Sequence, residues 1–426
     1  MRNSFYYYFV KFFLTFSPTY DIMLGMKAKE LKKARGRLDQ FLEDTLKHLG
    51  RSERRRWGAQ YIQGLLLEGE SKSVTSIASR FPDGNAQAIQ QLLHSSSWDY
   101  TLARQATSRL AMAELEPVKA WIVDDTGFPK KGNHSVGVAR QYSGTLGKVD
   151  NCQIAVSLNY ATSQNSFPMD WTLYLPESWI NDPLRRKKAR IPDEVTFKHK
   201  WEIALDLIDQ NLKANFPKGV ILADAAYGSV TEFREGLENR GLFYAVGIEG
   251  SLVFWRRPTF RQEIPYKGRG QPPSKPHYDP ESPPQTAREI AEAIPPKLWE
   301  EIIYGNGTKG PLKAKFTSLR VQPAHEYWKN APEKPMVWLL IQQTGDPQSP
   351  YKYFLSNLDE DTSLFRLAST AKLRWRIETD YQVLKQEVGL DHYEGRSWPG
   401  WHHHVTLVCM AYVFLLLERL KGAFPP

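Results

Sequence analysis

Cysteine is nearly absent: only Cys152 and Cys409 occur in 426 residues, far apart and outside any metal-ligand spacing. Two such thiols build neither a disulfide framework nor a zinc finger, and they suit a reducing compartment, so a cytoplasmic protein is expected. Long apolar runs are also scarce. Residues 5–16, FYYYFVKFFLTF, are too short to cross a bilayer and lack a small-residue cleavage site. They read as a leader ahead of a start at Met23 or Met26. Residues 405–417 are interrupted by Thr406 and follow three histidines, which fits a buried terminal helix better than a span. No membrane partner is expected. Those histidines, His402, His403 and His404, point about 100° apart on a helix and cannot share one ion, so they read as structural. No internal repeat is found. Acid is in deficit, with 47 Asp and Glu against 56 Lys and Arg, and the net charge of +9 points to a polyanionic partner.

A chain of this length holds two or three domains, and its 41% apolar content suffices for a sizeable core. Residues 27–117 read as helical throughout. Leu31, Leu38, Phe41, Leu42, Thr45 and Leu46 approximate one apolar stripe, and a second helix begins near Arg51. Residues 73–99 read as helix, loop and helix, broken at Pro82-Asp83-Gly84. This is either a helix-turn-helix DNA reader or an ordinary bundle. From residue 118 the pattern alternates: strands near 120–128, 153–160 and 167–176, a basic loop at 185–190, and an amphipathic helix over 194–216. A strand then ends on Asp224, and a helix and another strand follow. Three strands followed by alternating helices give an α/β fold, a mixed sheet flanked by helices, over 118–250. Residues 251–365 form a β-rich insertion with a proline-rich loop at 271–285. Residues 366–421 hold the last helices.

Three acidic positions stand out. Asp124 and Asp224 each sit at or just past a strand end, with Asp125 as the alternative to Asp124, because neighbouring strand residues face opposite ways. Glu378 sits on a later helix. On a wheel of about 100° per residue, Arg374, Glu378 and Lys385 fall within about 40° and form a polar ridge beside the stripe Leu373, Ile377, Leu384 and Val388. Carboxylates gathered from distant segments can hold two Mg²⁺ (or Mn²⁺) ions about 4 Å apart. Hard oxygen ligands without cysteine suit those metals.

The segment Arg374–(3)–Glu378–(6)–Lys385 resembles the Y-R-E-K signature of DDE insertion-sequence transposases, and WIVDDTGFPKKG and ILADAAYG resemble the strand motifs carrying that group's two aspartates. The resemblance covers roughly residues 30–420. It implies a ribonuclease-H-like core split around the β-rich insertion, which the helices of 366–421 complete. It also implies a helical N-terminal domain that binds the element's terminal inverted repeats. The implied activity is metal-dependent cutting of double-stranded DNA and joining of the freed 3′ ends to target DNA. A homodimer would pair two ends on the bacterial nucleoid. Asp124, Asp224 and Glu378 would be the catalytic metal ligands, and the family pattern of Asp, any residue, then Thr or Ser selects Asp124 with Thr126. Arg374 and Lys385 would contact DNA, and Lys130, Lys131, Arg140, Gln141 and Tyr142 would either line the same groove or form a plain polar hairpin. The basic run at 185–190 would add phosphate contacts. One of Trp255, Trp299 and Trp328 could stack on a flipped base, although core packing suits each better. The signature's tyrosine is missing, since its position holds Ala371. Two alternatives stay open: a nuclease without strand transfer, and a domesticated, inactive DNA-binding protein.

Overall fold

The computed structural model describes residues 28–67, 69, 71–144, 147–257, 282–307, 310–324 and 334–422. The aromatic run at 5–16, both candidate start methionines, Trp328 and most of the proline-rich loop lie outside these residues. Contacts divide the chain into two units. One takes the described parts of Met1–Val118, Asp124–Pro217 and Arg376–Pro426, and the other takes those of Lys119–Val123 and Lys218–Trp375.

The first unit opens with five helices: α1 (Ala28–Leu46), α2 (Ser52–Leu66), α3 (Val74–Ala78), α4 (Ala86–His94) and α5 (Tyr100–Glu114). Their starts follow from capping side chains. Ser73, Asn85 and Asp99 each accept from the first-turn amides of α3, α4 and α5, which satisfies donors that have no intrahelical partner. Between α3 and α4 the chain turns so tightly that a Cβ on Gly84 would lie 1.9 Å from the Ala78 carbonyl oxygen, so only glycine fits. The stripe expected on α1 is real: Leu38, Phe41, Leu42, Thr45 and Leu46 are buried, and the Phe41 ring lies 5.5 Å from that of Phe414.

Strands follow. In the first unit β1 (Ala120–Pro129) neighbours β3 (Lys148–Ala161), whose other edge pairs antiparallel with β2 (Ala139–Ser143) and then with β4 (Ser166–Leu173). Two short helices come next, α6 (Glu177–Ile180) and α7 (Pro183–Ala189), then α8 (Lys200–Lys213). A fully buried ion pair between Arg104 and Asp170 (2.9 Å) ties α5 to β4, and Asn211 of α8 donates to the same carboxylate at 3.0 Å.

In the second unit the opening residues of β1 pair in parallel with β5 (Val220–Ala223), and β5 pairs in parallel with β6 (Tyr244–Ile248). Helices α9 (Ala225–Gly228) and α10 (Thr231–Glu238) link them, and β7 (Val253–Trp255), β8 (Gln285–Thr286) and α11 (Ala287–Glu292) come after. The β-rich segment supplies β9 (Glu300–Gly307), β10 (Gly310–Pro323), β11 (Val337–Gln343) and β12 (Tyr351–Ser356). It extends the sheet: β12 pairs antiparallel with β6, β11 with β12, and β10 with β11. The order β4-β3-β1, then β1-β5-β6 with β5 and β6 parallel to β1, is ribonuclease-H-like.

The chain closes with α12 (Leu364–Lys372), α13 (Arg376–Gln386) and α14 (Trp398–Leu420). Apolar on every side, α14 has the length and composition of a membrane span, yet 89% of its span-like window is buried. It is a core helix, as an all-round apolar helix in a folded unit should be.

Four expectations need correction. Asp124 lies inside β1 (Ala120–Pro129) and not at its end. The basic run at 185–190 is mostly helix rather than loop: Asp182 accepts from the Arg185 amide, Pro183 opens the first turn, and Arg190 ends it in the left-handed region at φ 57°. The helix expected over 194–216 begins only at Lys200, where Glu202 bonds back to the His199 amide in a capping box. Finally, the segment from Ala371 is not one helix, because a 3₁₀ turn over Leu373–Trp375 intervenes. A 3₁₀ turn of three residues departs from about 100° per residue, so one wheel does not carry from Arg374 to Lys385, whereas Glu378 and Lys385 lie on one regular helix.

Candidate active site

Strand β1 opens with four fully buried residues, Ala120 to Val123, then half-buried Asp124 and Asp125, and closes on buried Thr126 and Phe128. Alternation puts Asp124, Thr126 and Phe128 on one face and Asp125 and Gly127 on the other. What lies on each face separates the two acids. On the Asp124 face, Lys385 Nζ donates to Thr126 Oγ1 at 2.7 Å and stands 5.2 Å from the Phe128 ring centroid. On the opposite face Asp125 pairs with Lys200 at 2.9 Å. There Gly127 leaves room for β2, since a Cβ would stand 2.2 Å from Ser143 Oγ. Asp124 itself accepts from the Asp125 amide at 2.8 Å. The helix carrying Glu378 therefore meets the Asp124 side of the strand.

Contacts from three of its residues, Tyr381, Asp380 and Lys385, seat that helix further. Tyr381 and Ser157 hydroxyls lie 2.7 Å apart. Asp380 is fully buried and accepts from Asn159 Nδ2 (2.8 Å), Ser166 Oγ (2.8 Å) and Tyr412 O–H (2.7 Å). Burial pushes its carboxyl above the usual range, while those donors act in the opposite sense. Lys385 also donates to the Gly127 carbonyl at 2.9 Å, and burial lowers its pKa. Glu378 is exposed in the first turn of α13, where the helix dipole favours an acid. Asp380 was missed in the sequence, although it stands three residues after Ile377 and four before Leu384, on the apolar stripe.

In the second unit Asp224 follows β5 and caps α9, accepting from the Ala226 amide at 3.0 Å and the Tyr227 amide at 3.4 Å. The last β1–β5 register pair is Ile122 with Leu222. Arg374 lies half-buried in the 3₁₀ turn, and Ala371, at the place of the signature tyrosine, is buried in α12. Among the described residues no three His, Cys, Asp or Glu side chains form a group able to hold a metal.

The remaining candidates differ in their surroundings. Lys130 donates to the Tyr393 carbonyl at 2.7 Å, and burial lowers its pKa, opposed by Asp391 and Glu394. Lys131 and Arg140 are exposed. In the basic run, Arg185 stacks 3.8 Å from the Trp179 centroid, Arg186 donates to the carbonyls of Val195 and Pro192, and Lys187 and Lys188 are exposed. His404 Nδ1 lies 2.9 Å from Tyr61 O–H and Nε2 lies 3.1 Å from the Leu390 carbonyl, with burial pushing its pKa down to about 3. Trp255 is buried, and Trp299 stacks on Tyr351 at 5.7 Å.

Known proteins share this sequence pattern. A probable transposase for insertion sequence element IS701 from Microchaete diplosiphon is 31% identical over 206 residues, 48% of this chain and 50% of that protein. The chain thus spans about half the length of the curated relative it matches. The family described as DDE superfamily endonuclease matches residues 44–311, which is more than half the chain and includes both aspartate motifs. With a ribonuclease-H-like strand order and a family match over more than half of its length, the chain belongs to the DDE superfamily of endonucleases.

Proposed function

We propose that this endonuclease is a cut-and-paste transposase, cutting double-stranded DNA at the terminal inverted repeats of an insertion element and joining the 3′ ends to target DNA. The observation that carries the reading is the seating of the Glu378 helix on the Asp124 face of β1 through Lys385 and Thr126. The similarity to a probable transposase supports the same reading.

Endonucleases of this superfamily use divalent metal ions. Asp124, Asp224 and Glu378 offer only hard carboxylate oxygens, a donor set that fits Mg²⁺ or Mn²⁺, and we assign them to two such ions. When bound, the ions would activate the attacking water or 3′-hydroxyl and stabilise the departing oxygen. Asp125, held by Lys200 on the other face, stands outside this set. Lys130, Lys131, Arg140 and Arg374 are assigned to DNA. Lys385 is assigned chiefly to joining α13 to β1, because its ammonium donates within the fold. The helices of 27–117 would read the element ends, and a homodimer would pair two ends at the bacterial nucleoid in the cytoplasm.

Cleavage and strand transfer on DNA carrying the element's own ends test the proposal. Wild type should excise and join them with Mg²⁺ and do neither with EDTA. Cutting without joining would leave a nuclease, and binding without cutting would leave a domesticated DNA-binding protein.

A further inference from the structure

Directly after the first aspartate motif the chain makes the hairpin β2–β3, whose two faces differ. Register pairs Arg140 with Asn151 and Tyr142 with Val149. Paired residues of adjacent strands point to the same face, so Arg140, Tyr142, Val149 and Asn151 form one surface. Along β3 that face continues by alternation through Ser157 and Asn159, the residues that touch Tyr381 and Asp380 of the Glu378 helix. Asn151 also joins the neighbouring strand end, because the Lys130 amide donates to its carbonyl at 2.9 Å. Arg140 and Tyr142 thus lie on the sheet face on which the Glu378 helix is seated.

This surface leaves two apolar side chains in solvent. Tyr142 is 61% exposed and Val149 54% exposed, side by side, with exposed Arg140 as the next residue on the same face. On the other face Ser143 is buried against Gly127, and Lys148 spends its charge on Asp150 at 3.1 Å. As a cross-strand pair, Tyr142 and Val149 give the hairpin only about 0.2–1 kcal/mol, whereas the same exposed pair beside an arginine also suits a ribbon that meets DNA. A two-stranded ribbon fits a DNA groove, an aromatic ring stacks on a base or sugar, and an arginine beside it takes a phosphate. The charge of +9 favours a polyanion over an apolar partner.

We propose that the Arg140–Tyr142–Val149 face of this hairpin is a DNA-contacting ribbon that holds the duplex beside the cut, with Tyr142 packed on a base or sugar and Arg140 on the backbone. The assignment rests on the reading of the chain as an enzyme that cuts DNA. Binding of the full chain to a fluorescein-labelled mixed-sequence duplex is measured over a range of salt. Tyr142→Ala should bind about tenfold more weakly, and Tyr142→Phe should restore binding. Arg140→Gln should lower the slope of log affinity against log salt by about one. Lys148→Gln, on the opposite face, should bind as wild type does. Wild-type affinity and slope in both Tyr142→Ala and Arg140→Gln would overturn the proposal. So would a change of oligomeric state in Tyr142→Ala with DNA binding intact, which would make the face a contact between copies. Failure of wild type to bind any duplex would instead remove the reading on which it rests.

Discussion

Lys385 Nζ stands 2.7 Å from Thr126 Oγ1, so the last turn of the Glu378 helix is pinned to the strand position two residues beyond Asp124. That bond and the carbonyl of Gly127 hold an ammonium whose pKa burial has lowered. Replacing Lys385 with methionine keeps the bulk and removes the donor. We expect a stability loss of about 1–2 kcal/mol from the unsatisfied acceptors, with an unchanged salt slope for duplex binding. A slope lower by about one would show that Lys385 meets a phosphate instead.

The two neighbouring aspartates make a second comparison. Asp124→Asn should abolish cutting while the protein stays folded. Asp125→Asn should remove the partly exposed pair with Lys200, costing under about 1 kcal/mol of stability and leaving activity within about tenfold of wild type. Cleavage assays beside thermal melts decide it, and loss of cutting in Asp125→Asn alone would exchange the two roles.

Asp380 carries the third. Removing its carboxylate in Asp380→Ala leaves Asn159, Ser166 and Tyr412 as buried donors without their acceptor. Unsatisfied groups of this kind cost about 1–3 kcal/mol each, so denaturant melts should show a loss of roughly 3 kcal/mol or more. Asp380→Asn retains one acceptor oxygen and should lose less. A neutral result for Asp380→Ala would mean that the network does not seat the helix.

His404 sets a pH dependence. Its folded pKa is about 3, against about 6.5 in an unfolded chain. Between these values the unfolded state binds a proton that the folded state refuses, so stability falls as pH falls through that window and is unaffected above it. The expected slope is about 1.4 kcal/mol per pH unit from this group. Denaturation measured from neutral to acid pH should show His404→Gln flattening the dependence by about one proton, and an unchanged slope would contradict it.

Much of the fold was legible in the sequence. The succession of strands and helices along the core, the stripe of α1 and the break at Pro82-Asp83-Gly84 follow from local periodicity and turn chemistry, which one sequence carries, while the spatial order of the core strands came from the family resemblance. The extension of β6 by β12, β11 and β10 did not, because antiparallel pairing of distant strands leaves no local trace. The 3₁₀ turn at Leu373–Trp375 escaped for a different reason: Leu and Arg are good helix formers, and a helical wheel assumes even spacing. Asp380 was hidden by its type, since an acid between Thr379 and Tyr381 reads as a solvated face until Asn159, Ser166 and Tyr412 are seen around it. Of the candidate site, the distinction between Asp124 and Asp125 was latent in strand alternation, but only Lys385 and Lys200 show what each face meets.

The central claim is that Asp224 and Glu378 act together in cutting DNA, and strand cleavage and transfer tests it most directly. Purified wild type, Asp224→Asn and Glu378→Gln would be given DNA with the element's ends, with Mg²⁺ or with EDTA. The account predicts excision and joining by wild type with Mg²⁺ only, and variants that fold and bind but do not cut. Cutting by either variant at the wild-type rate would contradict it.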